Sequence, residues 1–208
     1  MWSPPYFRLD DRQRIIELMR TFPFAVLSMS DGAGLMQGVH LPFLIDELPD
    51  GSIELVAHLA RANLLHESFD GEREALVVFS GPHGYVSPSD YQSEDMVPTW
   101  NYVAVHAAGR PLKYAEGAES ELAIRRLVDA MEPGEGGWRT EQLSEEKYRG
   151  LLKGIVAFSM RVDRLDGKLK LNQNRTVSEA GNAAARQAAL GNTDLADWMI
   201  SELERGVD

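Results

Sequence analysis

The sequence predicts an α+β fold in which an antiparallel β-barrel carries helices at its periphery. Segments with alternating apolar residues fill much of the middle of the chain, and segments with helical apolar spacing lie near both ends. A strand-rich centre with flanking helices is typical of a barrel with helical decoration. At 208 residues, the chain suits one large domain or one domain with a helical appendage.

Six segments have the apolar spacing of amphipathic helices. Asp10 and Asp11 precede the first of them and favour a capped start, and the turn Asp70-Gly71 ends the second. The predicted helices are residues 12–21, 61–69, 117–131, 144–152, 176–190 and 193–203.

The strands begin with three consecutive segments, residues 24–29, 35–45 and 52–59. Glycine-rich turns separate them, so the pattern predicts an antiparallel meander. Pro42 indicates an edge or a bulge in the second strand. A further strand is predicted at residues 155–162, where apolar side chains alternate.

The centre of the chain, residues 76–109, predicts two β-rich runs around a polar and aromatic connection. The first run breaks at residues 81–84, which are Gly-Pro-His-Gly, and the second occupies residues 97–106. Loops of this composition held by strands often bind ligands, but an ordinary tight connection with a surface loop is an equal alternative.

Composition excludes several classes of function. Thirty-two acidic and 21 basic residues give a net charge of −11, which disfavours direct DNA binding because phosphate neutralisation requires a basic surface. The absence of cysteine excludes disulfides and thiolate chemistry. With no signal-peptide pattern and no apolar run of about 18 residues, we expect a cytoplasmic protein without a membrane span.

Two histidine-containing segments are candidates for binding. In residues 58–63 a strand end meets a predicted helix start, where free N–H groups and the Arg61 guanidinium suit a phosphate. A helix cap beside a solvated arginine is the alternative. His40 lies on the second strand, where a buried histidine with a backbone partner is the more frequent arrangement. The five histidines have no metal-ligand spacing, so we predict no metal site.

Two further segments offer surfaces for a planar ligand. Trp100 and Tyr102 share one strand face and suit an aromatic ring, although core aromatics are the usual meaning of such a pair. Asn101 faces the other way. Residues 168–175, which follow a predicted strand, combine two Lys, two Asn, a Gln and an Arg that suit a heteroaromatic edge or a phosphate. A solvated loop is the alternative.

Taken together, several segments resemble the FMN-binding negative transcriptional regulator (PaiB-like) family, which has the split β-barrel of pyridoxine-phosphate-oxidase-like flavoproteins. The Pro-Thr-Trp-Asn-Tyr and Gln-Asn-Arg pieces are the more specific ones. The matching segments, in family order, are residues 1–7, 40–42, 58–63, 81–88, 97–102, 153–155 and 170–175.

The resemblance implies a homodimer with FMN at the interface of two barrels, and three groups of residues around the flavin. One group lines the ring and its phosphate, a second approaches from the other subunit, and a third lies near the open face of the ring. In that order the groups are Val39, His40, Leu41, His58, Arg61 and Asn63; Thr99, Trp100 and Asn101; and Gln173 and Arg175. It also implies a split-barrel domain at residues 1–175 and a helical extension packed on it at residues 176–208.

Leu64, Asp90 and Asn172 depart from the family pattern, and Asp90 adds a negative charge near the predicted anion site. Any chemistry would belong to the flavin, because no nucleophile with a matching base is evident. A flavin-dependent oxidoreductase and a haem-binding relative remain open, and the small-molecule ligand is unidentified.

Overall fold

We analysed a computed structural model of the chain, which describes residues 1–206. The chain forms two compact units. The first unit contains residues 1–18, residues 80–105 and the described residues from Asp166 onward, and the second contains residues 19–79 and 106–165.

The described residues form eight strands and five α-helices. The strands are β1 (Arg8–Leu9), β2 (Phe24–Ser30), β3 (Met36–Pro42), β4 (Leu44–Glu47), β5 (Ile53–Ala60), β6 (Ala75–Val86), β7 (Thr99–Lys113) and β8 (Ile155–Lys170). The helices are α1 (Arg12–Thr21), α2 (Ala118–Met131), α3 (Glu145–Lys153), α4 (Val177–Ala189) and α5 (Thr193–Arg205). Among these residues, no helix has the length and apolarity needed to cross a membrane.

The strands form a sheet in the order β3-β2-β6-β7-β8-β5-β4, and β1 pairs with β8. The two end strands, β3 and β4, are separated in the chain by Phe43 alone. Because one residue spans only about 3.8 Å, the end of β3 and the start of β4 lie close together, although no ladder among the described residues joins these two strands. Phe43 is buried at this junction, and its ring lies 5.8 Å from that of Phe79 and 6.3 Å from that of Phe158. The predicted α+β class with an antiparallel sheet of the split-barrel type is confirmed, and the described strands leave that sheet open.

The predicted meander is wrong in its pairing. Residues 35–45 form two strands rather than one, because the chain turns at Pro42 and Phe43. Strand β3 pairs with β2, whereas β4 pairs with β5, and β5 pairs on its other side with β8. The apolar alternation that continues through residues 41–45 concealed this change of partner.

The predicted break at residues 81–84 is also wrong, because β6 continues through it. Gly84 is required here for close packing rather than for a turn. A Cβ atom on Gly84 would lie 2.6 Å from the Gln187 Oε1 atom and 2.9 Å from the Leu195 side chain, so helices α4 and α5 approach this strand closely. The chain turns later, at a short 3₁₀ helix, Pro88–Tyr91.

Two other predicted boundaries change. The helix predicted at residues 61–69 is only a 3₁₀ helix at Leu64–Ser68, and Arg61 precedes it in an irregular link. The strand predicted at residues 155–162 extends to Lys170 as β8, so the two lysines of residues 168–175 lie on a strand and not in a solvated loop.

The predicted helix starts are confirmed where their caps are visible. The Asp11 carboxylate accepts hydrogen bonds from the backbone N–H groups of Gln13 and Arg14 at the start of α1. Thr176 and Glu179 form a reciprocal capping box at the start of α4. The division of the chain into domains at residue 175 stays a prediction, and the last two residues of the second domain, 207 and 208, lie outside the described residues.

Candidate functional site

The exposed face of β3 carries the first group of predicted site residues. His40 is exposed, Val39 is half-buried and Leu41 is buried. The His40 ring stacks on that of Phe24, with 5.9 Å between the ring centroids. The histidine is therefore available at the surface of the second unit, instead of being buried with a backbone partner.

His58 lies near the end of β5 and is half-buried. Its Nδ1 atom is inaccessible and has no hydrogen-bond partner among the described residues. Burial lowers the pKa of His58, because it disfavours the charged imidazolium. A neutral imidazole with an unused ring nitrogen is thus present in the second unit.

Arg61 joins the end of β5 to the end of α3. Its backbone N–H donates to the Gly154 carbonyl at 2.8 Å, Nε donates to the Lys153 carbonyl at 2.8 Å, and Nη2 donates to the Ile155 carbonyl at 3.1 Å. Helix ends leave such carbonyls unpaired, so Arg61 caps α3. Nη2 also forms an ion pair with Glu116 at 2.9 Å, which leaves Nη1 as the nitrogen without a partner in residues 1–206.

Asn63 caps the 3₁₀ helix that follows Arg61, because its side-chain oxygen accepts a hydrogen bond from the Leu65 N–H at 3.1 Å. Leu64, one of the departures from the family pattern, is exposed. Asn63 also lines a cleft of about 620 Å³, together with Gln37 on β3 and Arg73.

In the first unit, Thr99 contacts a lysine that the predicted site residues do not include. The Lys170 ammonium donates to the Thr99 hydroxyl at 2.5 Å. Burial, and then the nearby charge of Lys168, lower the pKa of Lys170. Lys168 itself is buried between the rings of Trp2 and Tyr102, at 5.5 and 5.4 Å from the ring centroids.

Trp100 belongs to an exposed aromatic cluster. Its ring centroid lies 6.2 Å from those of both His83 and Tyr85, and the His83 ring is nearly parallel to it. Trp100 is 49% exposed and Tyr85 is 51% exposed, so these rings present flat apolar surface to solvent. The predicted alternation along β7 is confirmed, since Asn101 is buried between exposed Trp100 and half-buried Tyr102.

Asn101 is fully buried. Its Nδ2 atom donates weakly to the Met199 sulfur on α5 at 3.5 Å, and its Oδ1 atom has no partner among the described residues. An unpaired buried amide oxygen is costly, which makes Asn101 a conspicuous polar position within the first unit.

Gln173 and Arg175 lie after β8 and line a cleft of about 300 Å³. The Gln173 amide bonds the chain itself, accepting from the Leu171 N–H and donating to the Leu169 carbonyl, both at 2.8 Å. The Arg175 guanidinium lies 5.4 Å from the centroid of the Tyr91 ring. Burial raises the pKa of the Tyr91 hydroxyl, and the positive charge of Arg175 opposes that rise.

The two other departures from the family pattern have local partners. Asn172 has a left-handed backbone with φ of 71°, a conformation that asparagine tolerates well, and its Oδ1 accepts a hydrogen bond from the Tyr91 hydroxyl at 3.3 Å. The Asp90 carboxylate accepts a hydrogen bond from the Ser87 N–H at 2.8 Å and faces Arg186 at 3.7 Å. Its charge is therefore engaged in a cap and an ion pair.

The predicted site residues thus divide between the units. Those between residues 39 and 63 lie in the second unit, and those between 99 and 175 lie in the first. Sequence reasoning missed the roles of Lys170, His83 and Tyr85, although all three lie in segments that it singled out. The signal was the spacing of two along each strand, which places Lys168 with Lys170 and His83 with Tyr85 on common faces.

The donor set suits a phosphorylated flavin. A flavin needs flat apolar surface for its ring, hydrogen-bonding groups for the ring edge, and cations for its phosphate. Within the first unit, Trp100 and Tyr85 offer the first, and Lys170 is of the third. The unpaired atoms of His58 and Asn101 are buried, so they are not counted among the groups that face a ligand. The exposed rings and the cation of the first unit are therefore of the kinds that FMN binding requires.

Comparison with known proteins places the chain in a family. Residues 1–164 match the family described as "Putative FMN-binding domain". The Bacillus subtilis (strain 168) protein "Protease synthase and sporulation protein PAI 2" is 30% identical over 184 residues, which cover 88% of this chain and 86% of the relative. The uncharacterized protein AN0679 of Emericella nidulans is 29% identical over 196 residues, covering 76% of this chain and 78% of the relative.

Solved structures show the same fold at lower identity. The flavocytochrome Anf3 from Azotobacter vinelandii has a TM-score of 0.60 and 16% identity, with 80% of this chain and 72% of that chain covered. The FAD and heme binding protein from Mycobacterium smegmatis has a TM-score of 0.57 and 21% identity, with 78% and 73% covered. The resemblance carried by the sequence motifs is confirmed: this chain belongs to the FMN-binding domain family that its residues 1–164 match.

Proposed function

We propose that this protein binds FMN and acts as a homodimeric flavoprotein of the regulator type. The observation that carries the proposal is the family match over residues 1–164. A flavin supplies electron and hydride transfer when bound, and the protein supplies binding, orientation and hydrogen bonds to the ring.

The surface of the hairpin β2–β3 supports a second copy of the chain as the partner. Phe24 is 63% exposed, Leu35 63% and Met36 71%, and all three are large apolar residues. Strand β3 is also an end strand of the sheet, so no strand of the described residues pairs with its outer backbone groups. Exposed apolar surface of this kind is typical of an interaction site.

We retain the residue groups that the resemblance implies and refine two roles. Arg61 has its Nη1 edge for a phosphate, while its other donors hold α3 in place. Gln173 orders the turn after β8 through its two backbone hydrogen bonds, so it positions neighbouring residues. Burial holds the pKa of His58 below its ordinary value, and its unpaired Nδ1 atom is buried, so its place in the retained group rests on the resemblance alone.

The proposal is tested by titrating the purified protein with FMN and following flavin fluorescence. We expect Trp100→Leu to weaken FMN binding by about tenfold or more, because an aromatic stacking partner is worth about 1–3 kcal/mol. Trp138→Leu is the matched control, since Trp138 is also exposed, at 40%, and lies outside the predicted site. Equal affinities for the two variants would contradict the assignment of Trp100, and no FMN binding by the unaltered protein would contradict the proposal itself.

The assembly is tested by sedimentation of the protein with and without Met36→Glu. The charged side chain would be buried without a partner in an interface formed by β3, so we expect the variant to be monomeric. Leu151→Glu is the control, because Leu151 is 55% exposed on α3. Dimers in both variants would place the interface elsewhere, and a monomeric unaltered protein would exclude the dimer.

Regulation by direct DNA contact is not part of the proposal. The chain has a net charge of −11, and the basic pair Arg125-Arg126 is engaged with acids. Arg125 bonds Glu121 and Glu141, and Arg126 bonds both oxygens of Asp46. Specific, salt-sensitive retardation of DNA by the protein alone would contradict this view.

Haem binding is a second candidate, favoured by His40. This histidine is exposed beside the apolar ring of Phe24, an arrangement that suits an axial ligand next to a macrocycle. Haem addition should then give a Soret band that His40→Ala removes. Retention of the band in the variant, or no band with either protein, would exclude His40 as a ligand.

A further inference from the structure

Two lysines on β8 lack a counter-charge. Lys168 and Lys170 are two residues apart on the strand, so their side chains leave the same face. Lys168 is 7% exposed and Lys170 is partly buried. In residues 1–206, no carboxylate pairs with either ammonium group.

The two lysines differ in how many of their hydrogen-bond donors the neighbouring residues leave available. Lys168 is held by the Trp2 carbonyl at 3.3 Å and by the rings of Trp2 and Tyr102. These groups leave it little freedom. Lys170 makes one hydrogen bond, to the Thr99 hydroxyl, and an ammonium group has three donors. Two donors of Lys170 are therefore free to reach a further group.

This arrangement is unfavourable for a chain on its own. Removing an ammonium group from water costs free energy unless an opposite charge or several hydrogen bonds compensate it. A second positive charge nearby raises that cost. For the same reason, burial and then the charge of Lys168 lower the pKa of Lys170. An anion beside Lys170 would remove both penalties.

We propose that Lys170 and Thr99, with Lys168 behind them, form a binding site for the phosphate or carboxylate group of a small molecule. Lys170 donates to the anionic oxygen, Thr99 donates its hydroxyl to a second oxygen, and Lys168 adds positive charge without direct contact. The predicted flavin residues include Thr99 but neither lysine, so the proposal adds the cationic part of a site. It does not depend on FMN being the ligand.

The test is calorimetric titration of the full chain with inorganic phosphate in chloride buffer. We expect Lys170→Met to weaken phosphate binding by about tenfold or more, because a charge-assisted hydrogen bond is lost. Lys170→Arg should retain most of the affinity. Lys147→Met is the matched control, because Lys147 is exposed on α3 and its substitution removes the same charge at a different place. Thr99→Val should also weaken binding, since it removes the hydroxyl and keeps the branched shape.

A readout of stability separates a binding role from a structural one. If the site awaits an anion, Lys170→Met should leave the melting temperature unchanged or raise it, and phosphate should raise it only in proteins that keep a cation at position 170. A large loss of stability in Lys170→Met, with Lys170→Arg equally affected, would overturn the proposal. So would equal phosphate binding by Lys170→Met and the unaltered protein, or no phosphate binding at all.

Parallel titrations with FMN and riboflavin identify the source of the anion. If the flavin phosphate occupies the site, Lys170→Met should weaken FMN binding and leave riboflavin binding unchanged. If another phosphorylated or carboxylated molecule occupies it, both flavins should bind Lys170→Met normally while inorganic phosphate does not. Both outcomes support the site. The same titrations distinguish a failure of the anion site from a failure of flavin binding, because the latter would leave the unaltered protein without FMN affinity.

Discussion

The role of Arg61 can be tested by replacing it with lysine, which keeps the charge and removes the fork. Arg61 donates two side-chain hydrogen bonds to the carbonyls of Lys153 and Ile155. A typical net value is about 1 kcal/mol for each such bond, and Arg61 has 43% of its side chain exposed, which reduces it. The ion pair with Glu116 adds little, because Glu116 is 82% exposed. We therefore expect Arg61→Lys to lower the free energy of unfolding by about 1–2 kcal/mol.

The assay is thermal unfolding followed by circular dichroism. For a chain of this length, about 1–2 kcal/mol corresponds to a fall of roughly 2–8 °C in the melting temperature. Arg149→Lys is the control, because Arg149 forms one exposed pair with Glu145 and should change stability by less than about 0.5 kcal/mol. If Arg61→Lys and Arg149→Lys melt together, Arg61 does not cap α3, and its guanidinium is free for a ligand.

Three further predictions follow from the second unit. Gly109→Ala should lower the free energy of unfolding by about 3 kcal/mol, because the added Cβ atom would lie 2.1 Å from the Arg161 carbonyl oxygen. Gly150→Ala should raise the free energy of unfolding by about 0.5–1 kcal/mol, because no atom lies within 4 Å of the added Cβ atom on α3. Equal denaturation midpoints for the two variants would contradict this prediction. Phe43→Ala should lower the free energy of unfolding in urea by about 3–5 kcal/mol, and a loss below about 1 kcal/mol would show that the Phe43 ring does not pack tightly against Phe79 and Phe158. Burial lowers the pKa of His58 below its ordinary 6.5, so the unfolded chain binds more protons than the folded chain as pH falls through that value. Stability should therefore fall more between pH 7.5 and 5.5 in the unaltered protein than in His58→Gln, and parallel losses would refute the assignment.

The helices and most strands could be predicted from the sequence, because their apolar periods and caps are local signals. Asp11 and Thr176 cap the helices that they were expected to start. The change of strand partner at Phe43 could not be predicted. Apolar alternation gives the face of a strand but does not name its neighbour, and a single residue is enough to redirect the chain.

The structural role of Gly84 could not be predicted, for a related reason. At Gly84, the sequence has a Gly-Pro-His-Gly pattern typical of a turn, yet the structure uses the glycine to admit two helices against a strand. The helices that require this close approach are about a hundred residues away in the chain. No local pattern contains that information.

The candidate site was predicted in part. The motifs identified the family, and they singled out segments that carry exposed aromatic rings and cations. They did not reveal that the Arg61 side chain donates hydrogen bonds to the carbonyls of Lys153 and Ile155. They also did not reveal that Lys170 has no acidic partner among residues 1–206, because charge compensation depends on residues distant in sequence.

The most direct test of the central claim is the flavin content of the protein as isolated, followed by titration of the flavin-depleted protein with FMN. A flavoprotein of this family should carry or take up one FMN per chain and show the visible absorption of an oxidised flavin. A colourless protein that takes up no FMN at saturating concentration would contradict the account.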